Sequence, residues 1–173
     1  MGPWSLDDVL ALPEDHRQRI ELVDGTLLMS PLGSFRHQDL VFGVAATLRS
    51  ACPKDFKATI EINVALSDGR LLIPDFTVVE RCDAGVTFPV EKVLLVGEVL
   101  SKSTRVTDLV VKRQLYAEGG VPYYLVVDPV PDAPVSTLYM RGEKPEYFEI
   151  ARSVNGVLTL DRHPFPVTID LND

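Results

Sequence analysis

The sequence has little to offer a disulfide framework: its two cysteines, Cys52 and Cys82, lie far apart in unlike contexts and without metal-type spacing. That speaks against a cysteine-stapled secreted fold and against a thiolate zinc site, and makes a reducing compartment the economical expectation. The opening Met1-Gly2-Pro3-Trp4-Ser5 has neither a basic n-region nor an apolar h-region, so secretion has no support. No apolar run nears the roughly 20 residues that a membrane-spanning helix needs; the run at 93–96 breaks at Gly97-Glu98. A cytoplasmic protein without a membrane partner is expected. There is no internal repeat, no low-complexity tract and no linker long enough to divide the chain. A glycine loop that could cradle phosphates is also missing, which leaves a hydrolase for small phosphorylated substrates without its usual device; no organic cofactor is expected. Positive charge is in deficit: 25 acidic residues against 17 basic give a net charge of −8, which repels nucleic acid at long range unless basic groups cluster or bound divalent cations offset the field.

What is present fits a single domain over residues 1–173, with 46% hydrophobic content and a length typical of one core. Ser5 with Asp8 three residues on signals a short helix ended by Pro13, a lid or brace. Asp24-Gly25 between Ile20-Glu21-Leu22-Val23 and Thr26-Leu27-Leu28-Met29 predicts a tight hairpin. Residues 34–50 carry Leu40, Val41, Val44, Ala45 and Leu48 at helical spacing. Ile60, Ile62, Val64 and Leu66 alternate as a half-buried strand, and after Asp68-Gly69 the stretch 71–79 returns as its partner. The branched apolar run 93–100 reads as a central strand covered on both faces. Residues 104–118 return to helical spacing, with Gly119-Gly120 as the stop, and 123–127 form the last core strand. Strand-like segments at 137–140, 146–151 and 157–160 are expected to extend the same sheet. The fold class is α/β: a core of helix, three strands, helix and strand, with an N-terminal helix and hairpin and a C-terminal β extension.

The chemistry concentrates at Ile73-Pro74-Asp75 and at Gly97-Glu98-Val99-Leu100-Ser101. Two carboxylates at adjacent strand ends can share a metal ion, and burying either one alone would cost several kcal/mol, comparable to a domain's whole stability. Carboxylate oxygens suit Mg²⁺ or Mn²⁺, and such a site polarises phosphoryl oxygens and readies water for phosphodiester hydrolysis. Each residue has a plainer use: Pro74-Asp75 as a turn, Glu98 as half of a structural salt bridge. Lys112 shares a helix face with Asp108 and Tyr116 and, if the helix runs back along the sheet, meets the site, where its ammonium would orient water or neutralise phosphorus; the plainer reading is an Asp108–Lys112 surface pair. Ser101, Lys102, Ser103, Thr104 and Arg105 would either touch backbone phosphates or cap the next helix. Trp4, Tyr123 and Tyr124 suggest core packing.

Ile20-Glu21-Leu22-Val23-Asp24-Gly25, Arg36-His37-Gln38, Pro74-Asp75, Glu98-Val99-Leu100-Ser101-Lys102-Ser103-Thr104 and Tyr116-Ala117-Glu118-Gly119-Gly120-Val121-Pro122 together resemble the Uma-type restriction endonucleases of the PD-(D/E)XK nuclease superfamily, over nearly the whole chain. The resemblance implies a restriction-endonuclease-like α/β sandwich in which Asp75 and Glu98 hold a divalent metal. The superfamily's motif places a lysine two residues after Glu98, where this chain has Leu100; the resemblance then implies that Lys112, on the following helix, takes the lysine's role. Glu21 and His37 match an acidic and a histidine position of the family, as a further metal ligand and a proton-handling group; alternatively Glu21 faces water on a hairpin edge and His37 caps or packs.

The expected function is a Mg²⁺- or Mn²⁺-dependent endonuclease acting on DNA, with a homodimer supplying two active sites to cut both strands in one encounter. The alternative is a catalytically inactive nuclease-fold protein that binds or regulates, which Leu100 and the acidic charge favour.

Overall fold

In a computed structural model, which describes residues 3–13, 18–31, 33–67, 69–83, 85–101, 105–129 and 134–172, the local signals of the sequence settle into strands with few helices. Ser5 and Asp8 close a reciprocal capping box on α1 (Leu6–Leu10). Asp24 and Gly25 take φ of 48° and 81°, as a tight hairpin turn requires, and join β1 (Gln18–Val23) to β2 (Thr26–Pro31). Val9, Leu22 and Leu71 form a small cluster that fixes α1 against this hairpin, as a brace. Ser34 caps α2 (Phe35–Ala51), accepting from the His37 amide.

The strand expected across 60–66 and its partner across 71–79 are each two strands. β3 (Phe56–Ile60) and β4 (Asn63–Ser67) flank a break at Glu61, whose φ of 50° no continuing strand tolerates. β5 (Arg70–Leu72) and β6 (Phe76–Glu80) flank Ile73-Pro74-Asp75, where Pro74 has no N–H to give a ladder. The expected antiparallel pairing survives on both sides of the break, Ala65 opposite Leu71 and Ile60 opposite Phe76. The two halves simply lie in different sheets, because alternation reports a strand's faces and not which sheet it joins. Asp68, expected in the turn between them, lies outside the described residues.

Beyond β7 (Thr87–Pro89) and a 3₁₀ turn (Val90–Lys92), β8 (Val93–Val99) crosses the centre of the molecule. A helical segment follows from Arg105; its stretch Thr107–Lys112 is π-helical, and α3 (Arg113–Gly119) ends at Gly120 with φ of 89°. β9 (Tyr123–Asp128), β10 (Val135–Arg141), β11 (Tyr147–Arg152), β12 (Val157–Leu160) and β13 (Val167–Asp170) complete the chain.

Among the described residues the strands form a five-stranded sheet ordered β2-β1-β5-β4-β7, a six-stranded sheet ordered β11-β10-β9-β8-β6-β3, and the pair β12-β13. Only β10 and β11 therefore extend the main sheet; β12 pairs instead with β13, a short strand whose two buried residues, Val167 and Ile169, were too few to stand out as a pattern. One face of the six-stranded sheet packs Phe76, Val78, Leu95 and Leu125 against Val41, Val44 and Leu48 of α2. The opposite face packs Val96, Tyr124 and Val126 against Leu115 and Tyr116 of α3 and against Val64, Leu66 and Leu72 of the other sheet. β8 is thus covered on both sides, as its continuous apolar run requires. Among the described residues no helix is long and apolar enough to cross a membrane.

Candidate active site

The two strand breaks create a seam. Ile73-Pro74-Asp75 carries the chain from the five-stranded to the six-stranded sheet, and Glu61-Ile62 makes the companion crossing, with the Glu61 amide donating to the Asp75 carbonyl at 3.3 Å. Asp75 therefore sits just before β6 and one register step from the pair Phe76–Gly97, which brings it beside Glu98 on β8. The Val99 amide donates to Asp75 Oδ2 at 2.7 Å, tying the two strand ends together. Gly97 is what permits the approach: a Cβ there would lie 1.9 Å from the Phe76 ring.

Three other elements complete the cluster. Glu21 of β1 accepts the Ile73 amide at 2.8 Å on Oε1, and the same oxygen stands 2.9 Å from Lys112 Nζ. Lys112 also donates to Glu98 Oε1 at 3.1 Å and lies 3.8 Å from Asp108 Oδ1. The Tyr116 hydroxyl donates to Glu98 Oε1 at 2.7 Å. His37 Nε2, from the first turn of α2, is 3.3 Å from Asp75 Oδ1, and Gly33 leaves room for its ring. Sequence reasoning thus named five residues, Glu21, His37, Asp75, Glu98 and Lys112, that the fold gathers into one buried group. Glu21 is not a solvated edge residue, and Asp108 and Lys112 are not a surface pair. Leu100, at the motif's lysine position, is buried among apolar side chains.

Arg19, Glu61 and Tyr116 make contacts there that sequence reasoning did not assign. Arg19 ion-pairs with Asp75 Oδ1 and reaches Glu61 Oε1 at 2.5 Å. A signal for Arg19 existed: it lies two residues before Glu21 on a strand, hence on the same face. Glu61 had none, because its position depends on a positive φ in what reads as uninterrupted alternation. Of the candidate phosphate contacts, Lys102, Ser103 and Thr104 lie outside the described residues. The Ser101 carbonyl accepts the Arg105 amide at 3.1 Å, at the start of the described helical segment. Arg105 forms a two-pronged pair with Asp128, at 2.9 and 2.5 Å.

The electrostatics are uneven. Burial pushes the Glu98 carboxyl well above the usual carboxylate range; Lys112 opposes this, while the Asp75, Asp108 and Glu21 carboxylates add to it. Burial also works against Asp75, but there the His37 hydrogen bond and the Arg19 charge prevail and hold the carboxyl below its ordinary value. Lys112 loses stabilisation by burial and regains more from Glu98, Glu21 and Asp108, so its pKa is raised and it stays an ammonium. Arg19 serves two acidic groups, Asp75 and Glu61, and Lys112 three, Glu21, Glu98 and, at 3.8 Å, Asp108. Five acidic groups against these two cations leave the surroundings of Glu98 acidic.

That donor set suits a hard divalent cation. Among the described residues no three His, Cys, Asp or Glu side chains form a ready-made metal cluster. Mg²⁺, however, is commonly held by one or two carboxylates with water in the other positions, which is what Asp75 and Glu98 have to offer.

A crystal structure described as "a putative nuclease belonging to DUF820", from Anabaena variabilis ATCC 29413, has a similar fold, with a TM-score of 0.68 and 19% sequence identity over 86% of either chain. At that identity the likeness concerns the fold alone. No curated protein matches the sequence. The family described as "Uma2: Putative restriction endonuclease" matches residues 6–167, nearly the whole length, and the chain accordingly belongs to the Uma2 family.

Proposed function

We propose that the protein is a divalent-metal-dependent endonuclease that hydrolyses DNA phosphodiester bonds, acting in the cytoplasm as a homodimer of one domain spanning residues 1–173. The observation that carries this reading is the meeting of Asp75, Glu98 and Lys112, from three separate elements, in one acidic cluster of a nuclease-family fold. Asp75 and Glu98 would hold Mg²⁺ or Mn²⁺. Such an ion would supply Lewis-acid polarisation of the phosphoryl oxygens and make a bound water more acidic than bulk water. Lys112 keeps its own proton, fixes Glu98 Oε1 and Glu21 Oε1, and contributes positive charge where the phosphoryl oxygens gain negative charge. Tyr116 donates to the same Glu98 oxygen, and His37 orients Asp75. With a net charge of −8 repelling DNA at long range, binding leans on charge held locally at the site.

A second reading, a nuclease-fold protein that binds without cutting, draws on Leu100 at the motif's lysine position and on the engagement of Lys112 by two carboxylates. Incubating supercoiled plasmid with the protein separates the two. Nicking or linearisation that needs Mg²⁺ or Mn²⁺, stops with a chelator and is lost in Glu98→Ala supports the enzyme; metal-dependent cutting retained by folded Glu98→Ala rejects the assignment.

A further inference from the structure

Both oxygens of Asp75 are already engaged. Oδ2 accepts the Val99 amide, and Oδ1 is shared by His37 Nε2 and an Arg19 Nη1 ion pair. Oδ2 is tied to the backbone, so a cation that takes Oδ1 competes with two partners there, and the one carrying full positive charge is Arg19. The guanidinium is spread between two carboxylates of different character: Asp75, with its side chain 2% exposed, and Glu61, at 34%. Glu61 holds its place at the rim through an uncommon positive φ, and Gln38 Nε2 donates to the same Oε1 at 3.4 Å. Glu61 also lines an open cavity of about 520 Å³, with Lys57, Thr59 and Asn63. Arg19 Nε, meanwhile, is buried without a hydrogen-bond partner among the described residues. A guanidinium already anchored on a second, half-exposed carboxylate has a place to go when it gives up Asp75, although giving up that buried pair costs free energy.

We propose that Arg19 is a positioning residue that stands in for the divalent cation: it neutralises and orients Asp75 while the site is empty, and moves onto Glu61 when the cation arrives. The inference rests on Asp75 serving as a metal ligand, as argued above. Attraction between Arg19 and Asp75 is then subtracted from metal affinity, whereas a merely structural Arg19 would keep the ligand in place and add to it.

Titration of the full-length protein with MnCl₂ by calorimetry tests this. Arg19→Gln, which keeps a planar polar group and removes the charge, should bind Mn²⁺ about tenfold more tightly than the native chain, equivalent to ~1.4 kcal/mol. Arg19→Lys, a single ammonium that cannot span both carboxylates, covers the case in which the glutamine variant fails to fold, and should bind several-fold more tightly. Equal or weaker Mn²⁺ binding by the folded variants, beside measurable binding by the native chain, overturns the proposal while leaving the metal site intact. Absence of Mn²⁺ binding in the native chain and both variants overturns the proposal together with the reading beneath it.

Discussion

Lys112 Nζ lies 3.1 Å from Glu98 Oε1 and 2.9 Å from Glu21 Oε1, so one ammonium joins the π-helical stretch to two different sheets. The geometry of that stretch matters to the contact. A π turn widens the helix by one residue per turn and re-aims the side chains on it, a distortion frequently found at functional sites. Asp108 and Lys112, at its two ends, are both turned inward.

Replacing Lys112 by Met keeps its length and removes its charge, leaving Glu21 and Glu98 buried without their shared cation. Breaking a buried pair in this way should lower stability by about 3–5 kcal/mol in urea unfolding. Adding Glu98→Gln to Lys112→Met should recover part of the loss. Losses that simply add would show that Lys112 and Glu98 are not energetically coupled.

Tyr116→Phe deletes one buried hydroxyl that donates to Glu98 at 2.7 Å. The expected loss of stability is about 1–3 kcal/mol. Mn²⁺ affinity should also fall, because Glu98 Oε1 loses one of the two donors that orient the carboxyl group. Unchanged melting and unchanged affinity would mean that another donor takes the hydroxyl's place.

Gly97→Ala would drive a methyl group to 1.9 Å from Phe76 Cε2 and 2.2 Å from Cζ. Overpacking of a filled core costs about 1–3 kcal/mol and sometimes more, and here the two strands that must separate end in Asp75 and Glu98. Mn²⁺ binding should therefore suffer along with stability, and Phe76→Leu should rescue both in the double variant. A stable Gly97→Ala protein with native Mn²⁺ affinity would show that the site does not depend on this close approach.

Arg105→Gln tests whether that residue serves the substrate or the fold. Its side chain is 43% exposed and paired with Asp128, so the substitution should cost at most about 1 kcal/mol. If Arg105 is occupied with Asp128, the KM for a DNA duplex should stay within about twofold of the native value, well under the ~1.4 kcal/mol of a tenfold change. A KM raised tenfold with kcat unchanged would return Arg105 to the phosphate contacts.

Much of this was legible because local chemistry determined it. Asp24-Gly25 needs positive φ at both positions, Leu40 to Leu48 repeat at helical spacing, and 93–100 is too apolar to lie anywhere but the centre; all three appear where expected. The acidic pair Asp75 and Glu98 stood out because charge beside buried strands demands a partner. What escaped reading depends on contacts between segments distant in sequence. Pro74, fixed in φ and without an N–H, signals that a strand starts or bulges there, but nothing local to it or to Glu61 reveals that the chain changes sheets. Arg19 is 56 residues from the carboxylate it pairs with, and the π-helical stretch at 107–112 keeps a pattern that an ordinary helix would also produce.

Diffraction from crystals soaked in MnCl₂ and measured near the manganese absorption edge tests the central claim most directly. An anomalous peak ligated by carboxylate oxygens of both Asp75 and Glu98, with Arg19 drawn away from Asp75, is the predicted result. A peak elsewhere, or none while the Arg19–Asp75 and Lys112–Glu98 pairs stay intact at saturating Mn²⁺, would contradict it.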